Sequence, residues 1–378
     1  MGKRIKGLRY IFSFILCLAL TACSQNIGSD AIKTVDTKGE ESFKRISEEN
    51  ADERIVKNSG RELTIGFSQV GEESDWRLAS IRSVKEAFSN KNGYNLIYDN
   101  AQQKQENQIK AVREFIDQNV DYIIIDPITE LGWENTLKEA REAQIPVVIV
   151  DRNVRVTEEG LLKAWIGSDF KLEGDKACAW LKSFLDNNKL IGRMNIAHIQ
   201  GTIDSSAQLG RTAALDEALS KYNNWRLIAR DSGDFTQAKG KEIMKKFLSR
   251  WGSEINIVFC ENDNEAFGAI EAIEEYGRKV GKDIRKGEIL VISFDSTRIG
   301  LKKTLEGKIA LNVECNPDYG PSLTQIVMDI EEGKTVSKDL YLEENLFSTV
   351  DSIKDVRLES KTYPVTIVTK ELIESRNY

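Results

Sequence analysis

From residue 63 onward, short β-rich apolar runs alternate with amphipathic stretches of helical length, and that rhythm restricts the chain to parallel sheets covered by helices on both faces. The runs LTIGFS (63–68), YNLIYD (94–99), YIIID (122–126), PVVIVD (146–151) and KAWIGSD (163–169) enclose helical patterns at about 75–90, 103–118 and 130–143. The alternation then resumes: helix 170–187, strand 194–199, helix 205–221, strand 226–230, helix 235–250, strand 255–260, helix 262–277 and strand 289–295. Runs this apolar fit strands buried on both sides. One sheet would need too many strands for so regular a chain. The expected fold is therefore α/β, with two Rossmann-like lobes in sequence.

The N-terminus sets the compartment. Lys3, Arg4, Lys6 and Arg9 precede an apolar stretch, Tyr10 to Leu20, that is short for a membrane span, which needs about 20 residues. Leu20-Thr21-Ala22-Cys23 follows. Small residues before a single Cys resemble the lipobox of bacterial lipoproteins, which implies a signal peptide over 1–22 and a lipid on the Cys23 thiol. An ordinary secretory leader with an incidental Cys is the plainer alternative. Residues 23–61 are polar and charged and are expected to form a flexible tether.

Removing the leader takes four Lys/Arg and no acidic residue from totals of 53 and 60, which moves the net charge from −7 to −11. So acidic a chain is a poor nucleic-acid binder, because phosphate recognition needs clustered Lys/Arg. Cys17 leaves with the leader and Cys23 carries lipid. The remaining Cys178, Cys260 and Cys315 have no spacing that reads as a disulfide framework or zinc site. No metal and no cofactor is expected, and the protein is expected to be a monomer.

In open α/β sheets, ligands bind beyond the carboxyl ends of the strands. Those positions carry Ser68-Gln69 and Ser74-Asp75-Trp76-Arg77, then Asp151-Arg152-Asn153, Gln200-Gly201-Thr202 with Arg211, Asp234-Phe235, Glu261-Asn262-Asp263 and Asp295-Ser296. Carboxylates, guanidinia and amides are the groups that hydrogen-bond sugar hydroxyls, and charge-assisted bonds are the stronger kind. A flat aromatic can take the apolar face of a sugar ring. Helix capping explains isolated Ser, Asp and Asn at such positions. It does not call for Trp76, Arg152, Arg211 or Phe235.

At these residues the chain resembles the periplasmic sugar-binding proteins of the ribose-binding class (type I solute-binding proteins), and within them the galactofuranose type. The segments IGFSQVGEESDWR, QQKQENQIKAVREFIDQNVDYIIIDP, GWENTLKEAREAQIPVVIVDR, IQGT, SGDFTQAKGKEIM, ENDNEAFGAIEAI and ISFDS carry the likeness over roughly 63–333. The resemblance implies that Asp151 and Arg152 bind ring hydroxyls, Arg211 acts from the opposite lobe and Phe235 covers the sugar. It further implies that Asn262 and Asp295 close the site, with Trp76, Arg77 and Glu314 as galactofuranose-type features. Glu261 and Asn264 around the retained Asn262-Asp263, with Cys315, Asn316 and the setting of Arg211 between Gly210 and Thr212, depart from the comparison patterns, and with them the identity of the sugar is left open.

The same resemblance implies three segments crossing between lobes, near 166–169, 292–295 and 313–316. Lobe 1 would take 62–167 plus 315–345, and lobe 2 would take 170–314 plus 346–378. The implied activity is capture of a monosaccharide (galactofuranose-, galactose- or ribose-like) in the interlobe cleft. ABC permease subunits would then receive it from the lipid-anchored, extracytoplasmic carrier.

Three rivals are weaker. An enzyme would need a phosphate loop or a catalytic group, and no G-x-G-x-x-G or P-loop follows the first strand. His198, the only His, sits in an apolar run and reads as structural. A repressor on this fold would need a DNA-binding headpiece where the leader and acidic tether lie. A sensor that reports to a membrane histidine kinase or chemoreceptor would use the same sugar-binding residues. Trp180, Trp225 and Trp251 are expected to serve packing, with Trp133 undecided.

Overall fold

A computed structural model describes residues 61–378. The leader 1–22, Cys23 and the tether up to residue 60 lie outside the described residues. Among the described residues no helix is long and apolar enough to cross a membrane.

The first lobe opens with β1 (Leu63–Gln69), α1 (Asp75–Ala87), β2 (Tyr94–Asn100), α2 (Gln105–Asp117), β3 (Tyr122–Ile125), α3 (Glu134–Glu142), β4 (Val147–Val150) and β5 (Ala164–Gly167). The second lobe continues with α4 (Phe170–Asn187), β6 (Met194–Gln200), α5 (Ser206–Lys221), β7 (Trp225–Ser232), α6 (Gln237–Trp251), β8 (Ile257–Cys260), α7 (Asp263–Glu275), β9 (Leu290–Asp295), α8 (Arg298–Leu305) and β10 (Leu311–Glu314). The chain returns to the first lobe for α9 (Gly320–Glu331) and β11 (Asp339–Tyr341). It ends on the second lobe with β12 (Leu346–Ser348), β13 (Asp355–Leu358), β14 (Lys361–Ile367) and α10 (Lys370–Ser375).

The first sheet has six parallel strands in the order β11-β5-β4-β3-β1-β2; the second has eight in the order β13-β14-β12-β10-β9-β8-β6-β7. In the second, β12 runs antiparallel to β10, and β13 antiparallel to β14. Side chains alternate across a strand, so each sheet feeds two cores. Ile124 and Val148 join the core under α1 and α9, whereas Ile123, Ile125, Val147 and Ile149 face Phe115 of α2 and Leu137 of α3. At about 25 cal/mol per Å² of apolar surface, these two-sided strands dominate the stability of each lobe.

Three segments pass between the lobes: Ser168–Asp169 after β5, 315–319 between β10 and α9, and 342–345 between β11 and β12. The passage expected at 292–295 is not among them. Those residues form β9 in the interior of the second sheet, hydrogen-bonded to β8 and β10. The third crossing lies in the C-terminal region, where the apolar pattern is too weak to mark it.

Several helices begin at the cleft on a side-chain cap. Ser74 accepts from the Arg77 amide, Asp169 from Leu172, Ser205 from Gln208 and Asn262 from Glu265. Each cap satisfies one of the unpaired amides of a helix start, and it also brings the strand-to-helix turn to the cleft.

Candidate functional site

The two lobes touch across the cleft. The Glu130 amide donates to the Asp204 carbonyl at 3.0 Å, and the Asn153 amide donates to Ser206 Oγ at 2.9 Å. Between them lies a cavity with about 310 Å³ of empty space, partly continuous with solvent. Trp76, Arg77, Asp151 and Arg152 line it from the first lobe, and Arg211, Phe235, Asn262 and Asp295 from the second. All eight are residues that the sequence singles out. Glu73, Ser74, Phe170, Ala207 and Cys315 complete the wall.

Backbone geometry aims several of these groups. Asp151 and Phe235, just past strand ends, and Asp295, the last residue of β9, lie in the left-handed region, with φ of +62°, +60° and +98°. Such conformations cost roughly 1–3 kcal/mol each in a non-glycine residue and persist only where the surroundings enforce them. Gly201, after β6, makes room for Phe235. A Cβ there would come within 1.9 Å of the Phe235 ring.

On the first lobe, one guanidinium organises three carboxylates. Arg77 Nε donates to Glu73 Oε1 at 3.1 Å, and Nη1 donates to Asp126 and to Asp151 Oδ2, the latter at 3.0 Å. Burial alone would lower the Arg77 pKa. The fields of Asp126, Glu73 and Asp151 outweigh it and push the pKa above its ordinary value. Burial raises the Asp126 carboxyl in spite of Arg77. Tyr319, in the second crossing, donates its hydroxyl to Asp151 Oδ1 at 3.3 Å.

On the second lobe, Arg211 Nε donates to Glu173 Oε2 at 2.7 Å, and Nη1 donates to the Glu261 carbonyl at 2.5 Å. Its Nη2 stands 4.0 Å from Asp295 Oδ1. Asn262 divides its amide: Oδ1 caps α7, and Nδ2 donates to the Phe235 carbonyl at 3.1 Å.

Two cavity groups are under-used by the protein. Arg152 is 2% exposed, yet its one side-chain hydrogen bond among the described residues goes from Nη1 to the Ile128 carbonyl at 3.1 Å. No carboxylate among them lies within ion-pair distance of it. Burial, then the neighbouring Arg77, lowers its pKa. Asp295 is 5% exposed, and its carboxylate receives no hydrogen bond from a described residue. Burial pushes its pKa well up. Buried polar groups are costly unless hydrogen-bonded. A guanidinium with spare donors on one wall and a carboxylate with spare acceptors on the other are matched by a ligand rich in hydroxyls, which accept from the first and donate to the second.

Flat surfaces complete the cavity. Trp76 anchors its indole Nε1–H on the Cys315 carbonyl at 2.6 Å. Phe235 lies under the Arg152 guanidinium at 5.1 Å, and Phe170 under that of Arg211 at 5.4 Å.

Glu314 is a correction to the expected set, because it does not line the cavity. Its Oε1 accepts from Arg376 Nη1 at 2.6 Å and Tyr378 Oη at 2.7 Å, while Oε2 accepts from the amide and side chain of Asn345 at 2.9 and 2.7 Å. A carboxylate with four donors has no capacity left for a ligand. Arg376 and Asn345 lie far along the chain, where no local pattern announces them.

Sequence reasoning missed Glu73, Phe170, Tyr319 and the partners Asp126 and Glu173. Asp126 had a readable signal, since it follows β3 as Asp151 follows β4. Glu73 stands four residues before Arg77, a spacing that pairs charges on a helix. His198 is buried between Glu261, 2.9 Å from Nε2, and Arg230, whose Nε donates to Nδ1 at 2.9 Å. Trp133 and Trp180 are fully buried. Glu173, Cys315 and Glu344 bring three donor atoms within 4.8 Å of one another. Arg211 already donates to Glu173, and Lys176 donates to the Glu344 backbone carbonyl, so the cluster reads as part of the hinge rather than a metal centre.

The comparisons with known proteins agree with this geometry. A family profile described as periplasmic binding protein domain matches residues 65–335. The galactofuranose-binding protein YtfQ of Escherichia coli (strain K12) is 38% identical over 302 residues, covering 79% of this chain and 91% of the relative. The crystal structure of a galactofuranose binding protein superposes with a TM-score of 0.70 at 38% identity, covering 75% of this chain and 94% of that one. The binding protein component of the arabinose ABC transporter from Shewanella sp. ANA-3, bound to α- and β-L-arabinofuranose, gives 0.69 at 40% identity, covering 75% and 91%.

Proposed function

The chain belongs to the periplasmic binding protein family, and on that premise we propose that it captures a monosaccharide between its lobes and delivers it, chemically unchanged, to the permease of an ABC importer. The observation that carries this reading is Arg152 and Asp295 on opposite walls of the cavity, two buried ionic groups with spare hydrogen-bonding capacity: Arg152 donates only to the Ile128 carbonyl, and Asp295 has Arg211 at 4.0 Å but accepts no hydrogen bond among the described residues. Asp151, Arg211 and Asn262 add further acceptors and donors, and Trp76, Phe170 and Phe235 give the sugar ring flat apolar walls. The preferred ligand is a furanose aldose of the galactofuranose kind. The relatives at 38–40% identity are named for galactofuranose or were solved with arabinofuranose.

Capture works by population shift. A ligand that touches both lobes binds the closed form better than the open one, and only that difference drives closure. The permease then distinguishes the closed form. The test is a thermal-shift screen over pyranoses and furanose-trapped monosaccharides. A true ligand at about a hundred times its Kd adds about 2.7 kcal/mol of stability, and the furanose forms should give the largest rise in Tm. A flat response to every saccharide would remove the proposal.

The carrier is held outside the cell by lipid on Cys23. Cys23→Ala should move the protein from the membrane fraction to the soluble one, as followed by fractionation and immunoblot. Unchanged membrane association would argue against the anchor.

A further inference from the structure

All three crossing segments meet at one carboxyl group. Glu344, in the third crossing, accepts at Oε1 from the Ser168 hydroxyl of the first crossing at 2.5 Å and from the Asn316 amide of the second at 2.9 Å. Cys315 Sγ lies 3.4 Å from the same Ser168 hydroxyl. The Glu344 carboxyl lies beside that of Glu173 from α4, with Cys315 in the same 4.8 Å cluster.

Glu173 is fully buried and has two different oxygens. Oε2 accepts from Arg211 Nε at 2.7 Å, whereas Oε1 is buried with no hydrogen-bond partner among the described residues. Two carboxylates this close cannot both be ionised without a large repulsion, and sharing one proton relieves it. An unpartnered acceptor on one carboxyl and a second carboxyl beside it identify where that proton goes.

We propose that Glu344 is held protonated and donates its O–H to Glu173, so that one proton at the hinge ties the three crossing segments to the carboxylate that positions Arg211 in the cavity. Glu173 and Glu344 are then positioning residues that act on the ligand through Arg211. The proton is a property of the hinge alone, whereas its effect on affinity rests on the sugar-binding reading.

The surroundings agree. Burial, and then the charge of Glu173, push the Glu344 pKa well above the carboxylate range, against the opposing effects of Ser168, the Asn316 amide and Lys176. Burial raises Glu173 as well, against the pull of Arg211. The other groups facing the pair are the Cys315 thiol, raised by burial and therefore neutral, with Asp151 and Asp295 beyond it. Lys176 Nζ donates to the Glu344 backbone carbonyl at 3.2 Å. A folded-state pKa raised above the unfolded value gives stabilisation that is present in acid and lost as pH rises through it. Loss of this proton as pH rises also removes the O–H tie to Glu173, which holds Arg211, so affinity should fall from mildly acidic toward alkaline pH.

The test compares the wild type with Glu344→Gln and Glu344→Ala. Glutamine keeps the acceptor for Ser168 and Asn316 and replaces the O–H by an N–H donor. First, the infrared difference spectrum of ligand-free wild type minus Glu344→Gln at neutral pH should show the carbonyl band of a protonated carboxylic acid. Second, calorimetric titration with the sugar found by the panel, from about pH 5 to about pH 9, should show affinity falling as pH rises in the wild type and flat in Glu344→Gln. Third, Glu344→Ala should bind on the order of tenfold more weakly at neutral pH, with Glu344→Gln restoring most of that loss.

No carboxylic-acid band would overturn the shared proton, whether or not a sugar binds. A pH profile in Glu344→Gln that parallels the wild type would overturn the link to Arg211. Failure of every saccharide to bind, with the band present, would fall on the proposed function and leave the proton standing. Melts of the ligand-free variants separate lost affinity from lost folding.

Discussion

Replacing Arg211 by alanine should abolish sugar binding and lower stability by about 3–5 kcal/mol, the cost of leaving buried charge without its partner. The guanidinium is 2% exposed and holds Glu173 Oε2, the Glu261 carbonyl and the neighbourhood of Asp295. Burial works against its charge. The fields of Glu173 and Asp295, with the hydrogen bond to Glu173, more than offset this and keep its pKa well above the ordinary value. Without it, Glu173 loses its ion-pair partner and Asp295 its nearest cation. Each must then take up a proton or draw in water, and Asp295 changes from acceptor to donor for the ligand. Arg211→Lys keeps the charge without the planar fork. It should recover much of the stability and little of the affinity, because one ammonium cannot reach both Glu173 and the Glu261 carbonyl. Chemical denaturation and calorimetric titration of the two variants separate the effects. Binding within about tenfold of wild type in Arg211→Ala would remove this residue from the site.

The parts legible in the sequence were those fixed locally. Apolar runs such as YIII and VVIV can only be two-sided strands, and the residues just after them must face the open end of a parallel sheet. That reasoning reached Asp151, Arg152, Phe235, Asn262 and Asp295 directly. Trp76 and Arg77 came with the turn after β1, and Arg211 with the first turns of α5. The parts that stayed hidden depend on contacts between distant segments. Glu314 ends β10 in a position that resembles a ligand contact. What decides its role is Arg376, 62 residues away. Glu173 sits one turn inside α4, where a carboxylate reads as a favourable charge near a helix start, and nothing local says that Arg211 will be laid on it. The third crossing has no apolar run of its own, since 342–345 is held by side-chain carboxylates and backbone amides. Pattern thus gave the sheets and their mouths, and long-range ionic pairing decided which acidic residues face the ligand.

The same physics gives Arg77→Ala a pH signature. Arg77 is 3% exposed and is the cation in ion-pair contact with Glu73, Asp126 and Asp151. In the wild type, burial already raises the Asp126 carboxyl while Arg77 restrains that rise. Removing the guanidinium lifts the restraint, so the folded variant favours the neutral acid at Asp126. Folded pKa values above the unfolded ones place the stabilisation on the acid side, where it is lost as pH rises through them. At neutral pH the variant should lose about 3–5 kcal/mol, as for any buried carboxylate cluster stripped of its cation. Lowering the pH from about 8 to about 5 should return much of this, with a slope steeper than that of the wild type. Denaturation midpoints across that range are the measurement. A pH profile parallel to the wild type would mean that water solvates these carboxylates well enough without Arg77 and that Arg77 is not their organiser. Sugar binding should stay absent even where acid restores the fold. Asp151 then meets the ligand free of the guanidinium that fixes its orientation, so the two readouts separate charge compensation from the shaping of the cavity wall.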